Sequence, residues 1–173
     1  MAHLATTLRR VRDRVAATRR AERRPLLVGG DCPILLGAVA GCRDAGDEPL
    51  GLLFVDGHED AWPAHGSTTG EAADMELGWL LGRGLDELGD DLRALIPTMD
   101  PARIALIGPR DRAELDAAGV ASVAAVVPVL DAATVGADPS DVTAWAVAGV
   151  RAAGDPWWLH VDLDVLSSPR DPG

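Results

Sequence analysis

Short, continuous apolar segments that alternate with helix-like segments constrain the fold of this chain more than any other feature of its sequence. The apolar segments predict buried strands at residues 25–28, 50–55, 104–107, within 121–130, and at 157–161. The segments between them predict helices at residues 32–40, 71–83, 111–118 and 139–153. Apolar strands separated by helices are typical of a parallel sheet that is covered on both faces. The sequence therefore predicts a single α/β domain.

The charge of the chain is unevenly distributed, and this restricts its partners. The net charge is −11, yet eight of the 16 basic residues lie between Arg9 and Arg24, and all 16 are arginine. The remainder is strongly acidic, which repels nucleic acid and attracts cations. Within residues 1–24, apolar side chains recur at helical spacing, at Leu4, Leu8, Val11 and Val15. We therefore expect an Arg-rich amphipathic surface helix there, rather than a phosphate-binding or targeting arm.

Hydropathy and cysteine content indicate the expected compartment. A membrane-spanning helix needs about 18 or more consecutive apolar residues, and the sequence contains no such segment. The first residues lack the apolar core of a signal peptide, and two cysteines are too few for a disulfide framework. We expect a cytoplasmic protein with no membrane partner.

Polar clusters directly follow three of the predicted strands, at residues 29–32, 56–60 and 160–164. Ligands of open α/β sheets bind beyond the carboxyl ends of the strands, so these clusters are candidates for a functional site.

The acidic residues of two clusters have the spacing of metal ligands. Asp56, His58 and Asp60 are two residues apart and share one side of an extended segment, as do Asp162 and Asp164. Four carboxylates in one place repel each other unless cations neutralise them, and two divalent ions carry the matching charge. Oxygen ligands with one imidazole suit manganese. Each cluster alone also fits a solvated strand end, and residues 162–164 alone also fit the nucleophile loop of a haloacid-dehalogenase-type phosphatase.

Together and in this order, the motifs at residues 29–31, 56–60 and 162–164 resemble those of the ureohydrolase family, which includes arginase, agmatinase and formimidoylglutamase. The resemblance implies a three-layer α/β/α fold with a mostly parallel sheet and two Mn²⁺ ions at the strand ends. It also implies hydrolysis of a guanidino or amidino carbon–nitrogen bond in a small cationic substrate.

The resemblance assigns a role to each acidic residue. Asp56 and Asp162 correspond to the carboxylates that bridge the two metals, and Asp60 corresponds to a ligand of the first metal. His58 and Asp164 correspond to ligands of the second metal.

Two further positions have alternative interpretations. The family has a metal-binding histidine where this chain has Cys32. A Cys32 thiolate would bind the first metal and favour Zn²⁺, whereas a neutral thiol would leave that metal weakly held. His160 either orients a ligand carboxylate or lies inside the sheet, hydrogen-bonded to the backbone.

The expected chemistry is attack by a metal-bridging hydroxide on the guanidinium or amidine carbon, with an acid that protonates the departing amine. The family carries Ser-Gly-Asn and a later histidine in the next loop, where this chain reads Thr69-Gly70-Glu71 without that histidine. The catalytic candidates are His65 and Glu71, and the substrate-binding candidates are Thr69, Gly70 and Asp74. Alternatively, His65 is a solvated loop residue, and the two acids begin a helix.

The chain is short compared with whole ureohydrolases. We expect residues 1–173 to form one partial arginase-like domain, incomplete at both ends, with an unstructured tail at residues 165–173. Two functions follow as alternatives: a binuclear-metal hydrolase of linear amidines, or a catalytically impaired metal-binding or structural member of the family. Either form is a possible homo-oligomer.

Overall fold

The computed structural model describes residues 2–166. Its helices are α1 (Ala2–Arg20), α2 (Ile34–Asp44), α3 (Glu76–Leu80), α4 (Asp90–Arg93), α5 (Arg112–Ala118), α6 (Ala132–Ala137) and α7 (Pro139–Ala153). Its strands are β1 (Gly51–Val55), β2 (Ile104–Ile107), β3 (Val129–Leu130) and β4 (Trp157–Val161). Short 3₁₀ turns cover Ala72–Asp74, Leu85–Glu87, Pro101–Arg103, Val123–Ala125 and Leu163–Val165. None of the helices in the described residues is both long and apolar enough to cross a membrane.

The four strands form one parallel sheet in the order β3-β2-β1-β4, which confirms the predicted fold class. In the register of β1 and β4, Phe54 lies opposite His160 and Val55 lies opposite Val161. The next residue, Asp162, donates its backbone N–H to the carbonyl of Val55 at 2.8 Å. The carboxyl ends of β1 and β4 therefore lie side by side.

Apolar side chains fill both faces of the sheet. One face packs against α1, α2 and α3 and contains the fully buried Phe54 and Leu106. The other face packs against α7 through Ile107, Val142 and Ala146. Helices thus cover the sheet on both sides, as the continuous apolar strands require.

The Arg-rich segment forms α1, which packs on α2. Leu8 and Val15 are each 1% exposed, and the Arg19 guanidinium pairs with Asp47 at 2.5 Å. Gly41 of α2 allows this close contact, because a Cβ atom there would lie 2.6 Å from the carbonyl oxygen of Arg12.

Two local predictions are wrong. Residues 25–28 form no strand, because no strand within residues 2–166 pairs with them. Leu26 and Val28 are accordingly 87% and 91% exposed. The single helix predicted at residues 71–83 is a 3₁₀ turn followed by the short α3, since Met75 between them has a non-helical backbone, with φ −132° and ψ −14°. The strand predicted within residues 121–130 is confirmed as the two-residue β3. Of the predicted tail, residues 167–173 lie outside the described residues.

Candidate metal centre

The ends of β1 and β4 bring the predicted acidic residues into one place. Asp56 directly follows β1 and is 1% exposed, and Asp60, four residues further, is 6% exposed. Asp60 has a φ of +43°, a left-handed conformation that is uncommon for a non-glycine residue. Its carbonyl accepts a hydrogen bond from the backbone of Gly78 at 3.0 Å, which ties this loop to α3.

The segments after β1 and β4 contact each other directly. Nδ1 of His58 lies 2.8 Å from Oδ2 of Asp164, and the backbone N–H of Gly57 donates to Oδ1 of Asp164 at 2.9 Å. A Cβ atom at Gly57 would lie 2.8 Å from that Oδ1 atom and 2.5 Å from Nη1 of Arg110. A side chain at residue 57 would therefore displace the Asp164 carboxylate or the Arg110 guanidinium.

The described residues contain three groups of side chains whose possible ligand atoms all lie within 4.8 Å of one another. They are the first group (Cys32, Asp56, Asp60), the second group (Asp56, His58, Asp164) and the inner group (Cys32, Glu76, His160). Asp56 belongs to both the first and the second group, and Cys32 belongs to both the first and the inner group. Five of the six predicted ligands therefore occur in the first two groups.

The sixth predicted ligand, Asp162, lies beside these groups but is a member of none of them. Its Oδ2 atom accepts a hydrogen bond from Sγ of Cys32 at 2.7 Å, and its Oδ1 atom accepts one from the backbone N–H of Asp164 at 2.8 Å. Burial raises the pKa of Asp162, but these two hydrogen bonds, together with His160 and His58, leave the pKa below its ordinary value.

Burial and mutual repulsion perturb the other acids in the opposite direction. Burial, followed by the Asp60 charge, raises the pKa of Asp56 to about 9, although the backbone N–H of His58 opposes this shift. Burial raises the pKa of Asp60 to about 7. Burial and the hydrogen bond to Asp162 raise the pKa of Cys32, so without metal its sulfur is a thiol that donates to Asp162.

The donors of this centre fit divalent cations. The Oδ2 atom of Asp56 is buried and has no hydrogen-bond partner, and the nearest imidazole nitrogen, Nε2 of His160, is 3.8 Å away. A buried carboxylate oxygen without a partner is costly, and a cation removes that cost. Carboxylates with one imidazole suit Mn²⁺, and Cys32, once deprotonated to a thiolate, suits Zn²⁺.

Sequence reasoning missed Glu76 as a member of the centre. It is the first residue of α3 and is fully buried, and its carboxyl group shares a hydrogen bond with the carboxyl group of Asp60. Burial and the neighbouring Asp60 charge raise its pKa well above the ordinary value. The available signal was a single acid within an otherwise apolar helix, Glu76–Leu80, where a charged side chain needs a partner.

A cavity of about 430 Å³ opens in front of the centre. Its lining includes two of the predicted substrate-binding residues, Thr69 and Asp74. It also includes five of the six predicted ligands: Cys32, His58, Asp60, Asp162 and Asp164. The hydroxyl of Thr69 donates to Oδ2 of Asp74 at 2.7 Å, and the hydroxyl of Ser67 donates to the same oxygen. These bonds hold the Asp74 carboxylate in place.

The other three predicted loop residues lie outside the cavity lining. The His65 side chain is 79% exposed, with Nδ1 3.9 Å from Oε1 of Glu87. Glu71 is exposed, and its backbone N–H donates to the Thr69 hydroxyl at 3.0 Å. Gly70, directly before Glu71, lies in the loop with a φ of +71°. The structure thus brings together the predicted metal ligands but not the two predicted catalytic residues.

This fold and these side chains define an α/β protein with a candidate metal centre at the carboxyl edge of a parallel sheet. The model of the Arginase family matches residues 1–173, and the chain belongs to the arginase family.

Individual relatives agree with this assignment. The chain is 33% identical to an arginase of Eremothecium gossypii over 101 residues, which are 58% of this chain and 25% of the relative. It is 34% identical to an arginase of Bacillus subtilis over 86 residues, which are 50% of this chain and 28% of the relative.

Solved structures of related proteins have the same fold. The crystal structure of arginase from Bacillus subtilis matches with a TM-score of 0.75 at 23% identity, covering 93% of this chain and 55% of that chain. Arginase from Glaciozyma antarctica matches with a TM-score of 0.72 at 27% identity, covering 94% and 58%. Formimidoylglutamase from Bacillus subtilis matches with a TM-score of 0.58 at 17% identity, covering 92% and 46%. The chain therefore spans about half the length of these structures.

Proposed function

We propose that the chain carries the metal-binding part of a hydrolase that cleaves the carbon–nitrogen bond of a guanidino or amidino group in a small linear amidine. The observation that supports this most is the position of Asp56, whose carboxylate belongs to two ligand groups at once. One carboxylate shared by two ligand sets is the arrangement that a pair of bridged metal ions needs. Membership of the arginase family supports the same class of reaction.

The first group and the second group would each hold one divalent ion, with Asp162 joining them from the Cys32 side. Mn²⁺ suits both sets, and Zn²⁺ suits the first set if Cys32 ionises. When bound, such ions supply a nucleophile at neutral pH by lowering the pKa of water.

The substrate would be oriented by groups of this chain that line the cavity. The Asp74 carboxylate, held by the hydroxyls of Ser67 and Thr69, offers a fixed negative charge to a guanidinium or amidinium cation. Gly70 shapes the loop that presents these groups. The roles of His65 and Glu71 as proton donors stay predictions, since neither side chain lines the cavity.

A second candidate function is metal binding without turnover, in a structural or impaired member of the family. It is favoured by the exposed apolar face of β4, where Trp157, Leu159 and Val161 are 43%, 48% and 50% exposed. A cytoplasmic location and a homo-oligomer belong to this proposal as predictions, as does the single partial domain.

The two candidates are separated by measuring metal content and turnover on the same preparation. The chain is loaded with Mn²⁺ and incubated with arginine, agmatine and formimidoylglutamate, and the release of urea, amine and formamide is measured. We expect turnover of at least one substrate that EDTA abolishes and that Asp56→Asn lacks, while the exposed control Asp86→Asn retains it. Two bound Mn²⁺ without turnover would support the second candidate, and no bound metal would exclude both.

A further inference from the structure

The inner group contains two buried side chains that the family pattern of ligands does not use. Glu76 is fully buried with its carboxyl group against that of Asp60. Nε2 of His160 is buried without a hydrogen-bond partner, 3.8 Å from Oδ2 of Asp56. The His160 ring stacks on Phe54 with 4.6 Å between the ring centroids, which fixes its orientation. Groups of this kind are costly unless something binds them, so they are informative about a ligand.

The three side chains of the inner group have the chemistry of a zinc ligand set. A sulfur, an imidazole nitrogen and a carboxylate oxygen lie within 4.8 Å of one another. Ligand atoms around a tetrahedral Zn²⁺, with bonds of about 2.0–2.3 Å, lie roughly 3.5 Å apart, so the three atoms would need to approach one another by at most about 1.3 Å. Three protein ligands leave the fourth position of a tetrahedral ion open.

We propose that Cys32, Glu76 and His160 form a Zn²⁺ position that competes with the first group for Cys32 and uses no carboxylate of the first or second group. The position shares Cys32 with the first group, and it does not rest on the proposed hydrolase activity. Softer Zn²⁺ selects the sulfur and imidazole of the inner group, whereas Mn²⁺ selects the carboxylates. A cation there would also offset the repulsion between the buried carboxyl groups of Glu76 and Asp60.

Co²⁺ binding to the full chain tests this assignment, because a thiolate–Co²⁺ bond absorbs in the near ultraviolet and Co²⁺ accepts the same geometry as Zn²⁺. The band should appear at one equivalent of Co²⁺, disappear on addition of Zn²⁺, and be absent in Cys32→Ser. Glu76→Gln and His160→Gln each remove a ligand and should raise the Co²⁺ dissociation constant at least about 100-fold. Loss of a residue that only hydrogen-bonds to a ligand typically weakens metal binding about 10–100-fold. Asp60→Asn should retain the band.

The substitutions are chosen so that folding does not obscure the result. Glu76→Gln keeps the shape of the side chain and removes its charge, and the thermal unfolding of each metal-free variant reports whether it is folded. If one of the two ligand variants fails to fold, the other carries the test. A band that survives in either Glu76→Gln or His160→Gln, that disappears in Asp60→Asn, or that is absent from the unaltered chain overturns the proposal. Hydrolysis plays no part in this readout, so failure of the proposed function leaves the result unaffected.

Discussion

Replacing Asp56 with asparagine should have opposite effects on the metal-free and the metal-loaded chain. Asn keeps the shape of the side chain and the oxygen that accepts the backbone N–H of His58 at 2.9 Å, but it cannot carry a charge. The pKa of Asp56 rises from its ordinary 3.8 to about 9 in the folded chain, because the carboxyl group is buried beside Asp60. The metal-free chain therefore holds a proton there that the unfolded chain releases.

The size of the effect follows from proton linkage. A group whose folded-state pKa lies above its unfolded value stabilises the fold fully below the unfolded pKa and loses that contribution as the pH rises through the folded pKa. For Asp56 the loss runs from about pH 4 to about pH 9, at up to about 1.4 kcal/mol per pH unit. At pH 7 it amounts to about 4 kcal/mol, which corresponds to a rise of about 10 °C in the melting temperature of Asp56→Asn.

The assay is thermal unfolding of both proteins in EDTA and in Mn²⁺ across this pH range. In EDTA, Asp56→Asn should melt above the unaltered chain at pH 7, and the difference should grow with pH. In Mn²⁺ at about 100 times its dissociation constant, the unaltered chain should gain about 3 kcal/mol per site, and the variant should gain nothing. Asp86→Asn, at an exposed position, should match the unaltered chain throughout. A variant that melts no higher in EDTA, or that keeps the Mn²⁺-dependent gain, would refute the reasoning.

Three further predictions concern the residues around this carboxylate. Cys32→His should tighten Mn²⁺ binding in calorimetric titrations, because imidazole is a better Mn²⁺ ligand than a neutral thiol, and an unchanged affinity would place Cys32 outside the shell. Gly57→Ala should weaken metal binding and lower the unfolding free energy by about 1–3 kcal/mol, because its Cβ would lie 2.8 Å from Oδ1 of Asp164. Glu59→Ala should lower the free energy of unfolding, measured with denaturant, by about 2–5 kcal/mol. The reason is that the Ser122 hydroxyl and the Val123 N–H would lose the carboxylate oxygens that accept their hydrogen bonds at 2.7 and 2.6 Å. A decrease below about 1 kcal/mol would show that water replaces Glu59.

The parts of the centre that the sequence predicted are those in which local pattern and sheet topology agree. Asp56 and Asp162 each follow an apolar strand, and parallel pairing of β1 with β4 brings those strand ends together whatever the loops do. His58 and Asp164 follow from the same two-residue spacing.

The parts that the sequence did not predict depend on distant contacts. Residues 25–28 have the composition of a strand, but a strand needs a partner, and the described chain supplies none. The burial of Glu76 arises from how α3 packs against the loop that contains Asp60, which spacing along the chain does not encode. Hydrogen bonds between neighbouring loop residues, such as Thr69 with Asp74, likewise set the loop conformation. That conformation exposes His65 and leaves Asp74 in the cavity lining.

Anomalous scattering from a crystal of the chain grown with Mn²⁺ tests the central claim most directly. The account predicts two Mn²⁺ peaks on either side of the Asp56 carboxylate, about 3.5–4 Å apart, one within the first group and one within the second. A single peak, or peaks that leave Asp56 uncoordinated, would contradict it.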